Sequence, residues 1–188
     1  MRTFVAIELD EACRRRLVAT VEVLRRVSSG VRWVKAPSMH LTLKFIGELR
    51  ELDLPRAIAA LGPAAASAEP FEMTVAGLSG FPPTGVPRVV HVDVAESTGT
   101  LVSLQRAVDA ALEDELGLAR EKRRYVPHVT LGRVKDRRAG PRMDDLASAL
   151  DRQDFGTVPV DSMVLMKSDL RPDGAVYTPL HVFQLGDG

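Results

Sequence analysis

The sequence predicts an α+β fold built from antiparallel sheets with helices outside. Two observations point there: segments of period two alternate with segments of helical period, and strand pairs joined by turn-rich residues stand at the middle and the end of the chain. A third refines it. A strand, a helix and then an H-x-T-L strand occur once in each half, which predicts a bilobed, pseudo-twofold arrangement of two similar lobes. At 188 residues the chain fits a single domain, 1–188.

The elements follow in order. "RTFVAIEL" (2–9) alternates Phe4, Ala6 and Glu8 against Val5, Ile7 and Leu9, the pattern of a strand. Asp10 offers an N-cap, Leu17, Val21, Leu24 and Val27 recur at helical spacing, and Gly30 closes the helix. "VRWVKA" (31–36) is a short strand ended by Pro37, and "HLTLKFIGE" a longer one that stops at Gly47. A second helix starts near Asp53, with Pro55 in its first turn, and runs to about Ala68. "FEMTVAGLSGFP" (71–82) and "RVVHVDVAE" (88–96) are strands joined by "PPTGVP". Residues 98–117 form an amphipathic helix with Leu101, Leu104, Val108 and Leu112 inward and Gly117 as its stop. "HVTLGRV" is again a strand, and "MDDLASALDRQDF" (143–155) a short helix. "VPVDSMVLMKSDL" and "AVYTPLHVFQL" pair around the turn "RPDG".

Composition narrows the function. Lys+Arg and Asp+Glu both number 25, so no global basic field draws the protein onto nucleic acid, and any polyanion needs a local cluster. The single cysteine, Cys13, excludes an internal disulfide and sits at helical spacing, where packing explains it. The first residues reach charge too soon for a secretory signal, and no apolar run approaches the roughly 18 residues of a membrane span. A cytoplasmic protein with no membrane association is expected, and a monomer.

The chemistry lies in "HLTLKF" (40–45) and "HVTLGR" (128–133). On a strand, residues i and i+2 share a face, so His40 emerges with Thr42, and His128 with Thr130. If the two strands lie together, two imidazoles and two hydroxyls converge on one concave face. Such a set suits phosphodiester chemistry without a metal or cofactor. With an unperturbed pKa of about 6.5, one imidazole can take a proton while the other gives one. The threonine hydroxyls can hold the non-bridging phosphate oxygens as charge builds there. There is no H-E-x-x-H, no G-x-S-x-G elbow and no G-x-x-x-x-G-K-[ST] loop, so zinc, serine-hydrolase and ATP chemistry have no motif here. His91 and His181 lack the threonine and read as structural.

Basic residues gather at the second motif. Arg120, Lys122, Arg123 and Arg124 precede Pro127 and His128, and Arg133 follows; the run reads equally as a solvated basic face or as a local phosphate-binding patch. Arg133 stands at an odd offset from His128, and a bulge at Gly132 would bring it round. Lys44 shares the expected face of His40 and Thr42. Tyr125 could stack on a base, as could Trp33 and Phe45, for which core packing is the simpler role.

Paired H-x-T motifs far apart resemble the two-histidine (2H) phosphoesterases and, within them, the RNA 2′,3′-cyclic phosphodiesterases also called 2′-5′ RNA ligases. "RTFVAIELDE", "VRWVKAPSMHLTLKFIGE", "GLSGFPPTGVPRVV", "YVPHVTLGRVK" and "LMKSDLRPDGAVYTPLHVF" carry the likeness nearly end to end. The resemblance implies two antiparallel sheets lining a central groove, and metal-independent opening of 2′,3′-cyclic phosphate RNA ends to a 2′-phosphomonoester. His40 would be the proton donor, His128 the acceptor, and Thr42 and Thr130 the phosphate-binding residues. Lys44, Arg124, Tyr125 and Arg133 would serve substrate binding, with no metal. ATP-independent 2′-5′ ligation would be the reverse type of reaction. Two positions depart from the expected pattern: Val126 where an arginine would precede Pro-His, and His91 where an aromatic residue would follow "PRVV". The rivals are another 2H activity on small cyclic nucleotides or 2′-5′ oligonucleotides, a non-catalytic module gripping RNA ends, and a metal-dependent phosphoesterase.

Overall fold

β1 (Arg2–Glu8) is the strand its alternation predicts: Val5 and Ile7 enter the main core, while Phe4 and Ala6 join a small cluster on the opposite face. The computed structural model describes residues 1–138, 140–150, 153–172 and 174–186. α1 (Glu11–Val27) begins where the Asp10 carboxylate accepts from the Cys13 amide at 2.7 Å, a side-chain cap. Cys13 is buried in that helix, and burial raises its thiol to about 11, in keeping with a packing role. β2 (Val31–Trp33), a 3-10 turn at Ala36–Ser38 and β3 (His40–Glu48) complete the first half of the echo. α2 (Leu54–Ala66) follows, then β4 (Phe71–Phe81), β5 (Val89–Ala95), α3 (Thr100–Leu116), β6 (His128–Val134) and α4 (Met143–Ser148). β7 (Asp154–Val160), β8 (Ser162–Arg171) and β9 (Gly174–Gln184) end the chain. Asp173 of the expected turn and residues 151–152 of the expected last helix lie outside the described residues.

The strands join one curled antiparallel sheet in the order β7-β4-β5-β6-β3-β1-β8-β9, with β2 paired beside β6. The expected two sheets are therefore one. The halves meet where Leu41 of β3 pairs with Val129 of β6, and both side chains are fully buried. Burying the central apolar residue of each H-x-T-L motif on the helix side is what draws these strands edge to edge. Four α-helices among the described residues cover that side: Leu17, Leu61, Leu104 and Leu146 share one cluster with Ile7, Leu41, Val92 and Leu131. Each such side chain contributes about 1.5–3 kcal/mol by leaving water. The strand–helix–strand echo is visible in the connectivity, β1-α1-β3 and β5-α3-β6, with 17 residues in each helix.

Two expected boundaries are corrected. The helix expected over 143–155 stops at Ser148, and Asp154 and Phe155 open β7, where alternating burial places Phe155, Val158 and Val160 inward against β4. "VPVDSMVLMKSDL" is two strands, because Val158–Val160 pairs with β4 at one end of the sheet while Val164–Lys167 pairs with β1 and β9 near the other. Among the described residues no helix is long and apolar enough to cross a membrane.

Candidate active site

The pairing of Leu41 with Val129 decides the site. In an antiparallel ladder it sets His40 towards Thr130 and Thr42 towards His128, so each imidazole faces the other motif's hydroxyl. All four side chains line one cavity of about 380 Å³ on the concave face.

Both motif strands carry a bulge at the same place. β3 pairs with β1 as Ile7–Leu41, Ala6–Thr42 and then Val5–Lys44, leaving Leu43 as the extra residue. β6 pairs with β5 as Val92–Val129, His91–Thr130 and then Val90–Gly132, leaving Leu131 extra. An extra residue reverses the alternation beyond it. Phe45 and Arg133, five residues past each histidine, therefore return to the groove and line it. The bulge expected at Gly132 for Arg133 lies one residue earlier, with the same result.

The same reversal corrects Lys44. It is turned away from His40 and Thr42 into the helix side, where it is buried and pairs with Asp109 of α3 and donates to the Ala119 carbonyl at 2.8 Å. Tyr125 is also corrected. It packs against the core and its hydroxyl donates to the Thr42 carbonyl at 2.9 Å, bracing the first motif from the segment that leads into the second. Burial raises the pKa of that phenol. Arg124 is exposed and does not line the cavity, because Tyr125 anchors the chain behind β3 and leaves its neighbour outside. Phe45, expected in the core, lines the groove and is 52% exposed with Arg2 stacked over its ring, whereas Trp33 packs against the core as expected and also lines the groove.

His40 stacks on Phe4 at 4.8 Å between ring centroids and meets the edge of Tyr177 at 5.2 Å. Burial lowers its pKa to about 4, with Arg14 and His128 pushing the same way and a Ser38 backbone bond opposing. His128 is held differently: its Nδ1 lies 2.7 Å from the Val126 carbonyl oxygen. A carbonyl only accepts, so Nδ1 carries the hydrogen and, in the neutral ring, Nε2 keeps a free lone pair. Val126, one of the departures from the expected pattern, thus acts through its backbone. His91, expected to be structural, is buried beside this ring and is not among the residues that line the cavity.

Sequence reasoning missed Phe4, Arg2, Arg32, Lys35, Ser38, Ser168 and Tyr177, which the curled sheet brings in from β1, β8, β9 and the segment around β2. Phe4 was readable, since it alternates on the face of Ala6 and Glu8. Tyr177 carried no signal beyond its strand. Among the described residues the cavity lining holds Arg2, Arg32, Lys35 and Arg133 and no carboxylate, although the whole chain is neutral. Among the described residues no three His, Cys, Asp or Glu side chains converge to hold a metal ion.

An antiparallel half-barrel with two H-x-T strands at its centre and a cationic groove defines a class of phosphate-handling protein. Comparison with known proteins makes this specific. A profile of the 2′-5′ RNA ligase superfamily matches residues 11–172. An RNA 2′,3′-cyclic phosphodiesterase of Methanothermobacter thermautotrophicus is 34% identical over 185 residues, covering 98% of this chain and 99% of its own. Another so named, from Archaeoglobus fulgidus, is 35% identical, covering 98% of this chain and 100% of its own. The crystal structure of a Thermus thermophilus protein, TT0787, superposes with a TM-score of 0.84 at 33% identity, covering 99% of this chain and 98% of that one. The chain belongs to the 2′-5′ RNA ligase superfamily.

Proposed function

We propose that the protein opens 2′,3′-cyclic phosphates at RNA ends to 2′-phosphomonoesters by metal-independent acid–base catalysis at His40 and His128. It is an RNA 2′,3′-cyclic phosphodiesterase, a hydrolase. The observation that carries the mechanism is the convergence of both histidines and both threonines on a cavity whose described lining holds four cations and no carboxylate. A water attacks phosphorus and gives its proton to His128 Nε2. The bond from phosphorus to O3′ breaks, O3′ takes a proton from His40, and the phosphate stays on O2′. Thr42 and Thr130 donate to the non-bridging oxygens as charge builds on them. The two halves serve as similar lobes, each supplying one H-x-T pair. With a 5′-hydroxyl attacking in place of water, the same steps would join two ends through a 2′-5′ linkage without ATP.

His40 with a pKa of about 4 is neutral at neutral pH. To serve as donor it must gain its proton with the substrate, whose anionic phosphate favours the imidazolium. That depressed affinity favours a second reading in which His40 is the base and His128 the donor. A substrate with sulfur in place of O3′ separates them, because a thiolate leaves without a donated proton. If His40 is the donor, this substrate restores turnover to His40→Ala and leaves His128→Ala inactive. The reverse pattern exchanges the roles.

A further inference from the structure

His91 is 1% exposed, with the Asp93 carboxylate and backbone groups at Val92 and Gly80 as the polar groups that act on its ring. Asp93 Oδ1 lies 3.3 Å from Nδ1, and the Asp93 side chain is half exposed. Burying an imidazole carries a desolvation cost that an apolar side chain filling the space would avoid. What distinguishes the position is its neighbours. The His91 ring lies on Phe81 at 4.2 Å between centroids and against His128 at 4.9 Å, and Phe81 meets His128 edge-on at 5.0 Å. The two inner rings form a corner into which the His128 ring is set, with its Nδ1 fixed on the Val126 carbonyl.

We propose that His91 is a positioning residue for His128: with Phe81 it confines the ring to the orientation in which Nδ1–H meets Val126 and Nε2 opens to the groove. The inference rests on reading His128 as a proton-transfer group. Burial, and then His128 itself, lower the pKa of His91, while Asp93 and the backbone at Val92 and Gly80 act the other way. Both lowering effects disfavour a second cation beside an imidazolium forming at His128, where it would oppose the proton transfer.

The test pairs kinetics with a direct view of the ring. In imidazole-¹⁵N-labelled wild type, long-range ¹H–¹⁵N spectra should show neutral His128 as a single Nδ1–H tautomer. His91→Ala should leave a mixture of tautomers and lower kcat on cyclic-phosphate RNA by about 10- to 100-fold, the loss expected of a misplaced reacting group, with KM within about twofold. His91→Phe, which rebuilds a flat ring, should recover most of the lost kcat and the single tautomer. If His91→Ala does not fold, His91→Leu, which fills the space without a flat ring, is read in the same way. An unchanged His128 tautomer and kcat in the non-aromatic variant would overturn the proposal. A wild type inactive on cyclic-phosphate RNA would instead defeat the reading of the site, while the spectra would still judge the positioning.

Discussion

Removing Asp109 should unfold the protein far more readily than a helix-surface substitution would. Lys44 and Asp109 are 8% and 6% exposed, and Asp109 also accepts the Glu121 amide at 3.0 Å while Lys44 donates to the Ala119 carbonyl. Asp109→Ala leaves an ammonium buried with one carbonyl for company and frees the segment after α3. Breaking a buried pair from one side costs about 3–5 kcal/mol. For a domain of this size that lowers Tm by roughly 6–20 °C. Replacing both partners, Lys44→Met with Asp109→Leu, should recover most of the stability, since the pair's own net worth is small once both charges are gone. Urea titration of the wild type, the single variant and the double variant measures all three. The same set separates stability from binding: the double variant should keep the KM of the wild type for cyclic-phosphate RNA within about twofold, because neither side chain faces the groove. A loss below about 1 kcal/mol in Asp109→Ala, or a rise in KM on replacing Lys44 in the stable double variant, would refute the bulge-reversed placement of Lys44.

Three further outcomes follow from the same geometry. His40 binds its proton less readily folded, at about 4, than unfolded, at about 6.5, so stability is full above the unfolded value and falls as pH drops towards 4; the loss, at most on the order of 3 kcal/mol, should shrink in His40→Asn when urea titrations at pH 7 and pH 4.5 are compared. Gly132→Ala would place a methyl 2.7 Å from Val31 Cγ1 and 2.8 Å from Trp33 Cε3, and overpacking of that kind costs about 1–3 kcal/mol, readable by thermal melting with a shift in Trp33 fluorescence. Arg133→Gln should raise KM for cyclic-phosphate RNA by about 10- to 100-fold, the worth of a charge-assisted bond, whereas Arg124→Gln should change it less than about twofold, since only Arg133 lines the groove.

Most of the site was legible because strand alternation is a local property. His40 with Thr42 and His128 with Thr130 needed only the period of two, and Leu41 and Val129 needed only to be apolar between them. What escaped was non-local. Lys44 was assigned by continuing the alternation through Leu43, and only the register against β1 reveals the extra residue. Arg133 returns to the groove for the same physical reason, its odd offset being absorbed by Leu131. Tyr125 and Phe45 exchanged their expected roles because a single aromatic residue does not say which side of a sheet the returning chain will take. The joining of the halves into one sheet rests on the Leu41–Val129 pair and on β2 lying beside β6, which no periodicity announces. Tyr177 reaches His40 from the last strand, far away in the sequence.

The central claim is that His40 and His128 exchange protons with a cyclic phosphate and need no metal. It is tested most directly by incubating a short RNA ending in 2′,3′-cyclic phosphate with the protein in excess EDTA and locating the phosphate in the product. The wild type should give a 2′-phosphate with a free 3′-hydroxyl. His40→Ala and His128→Ala, each folded, should be slower by about 10²–10⁴. No product, product only when metal is restored, or undiminished turnover in either variant would contradict it.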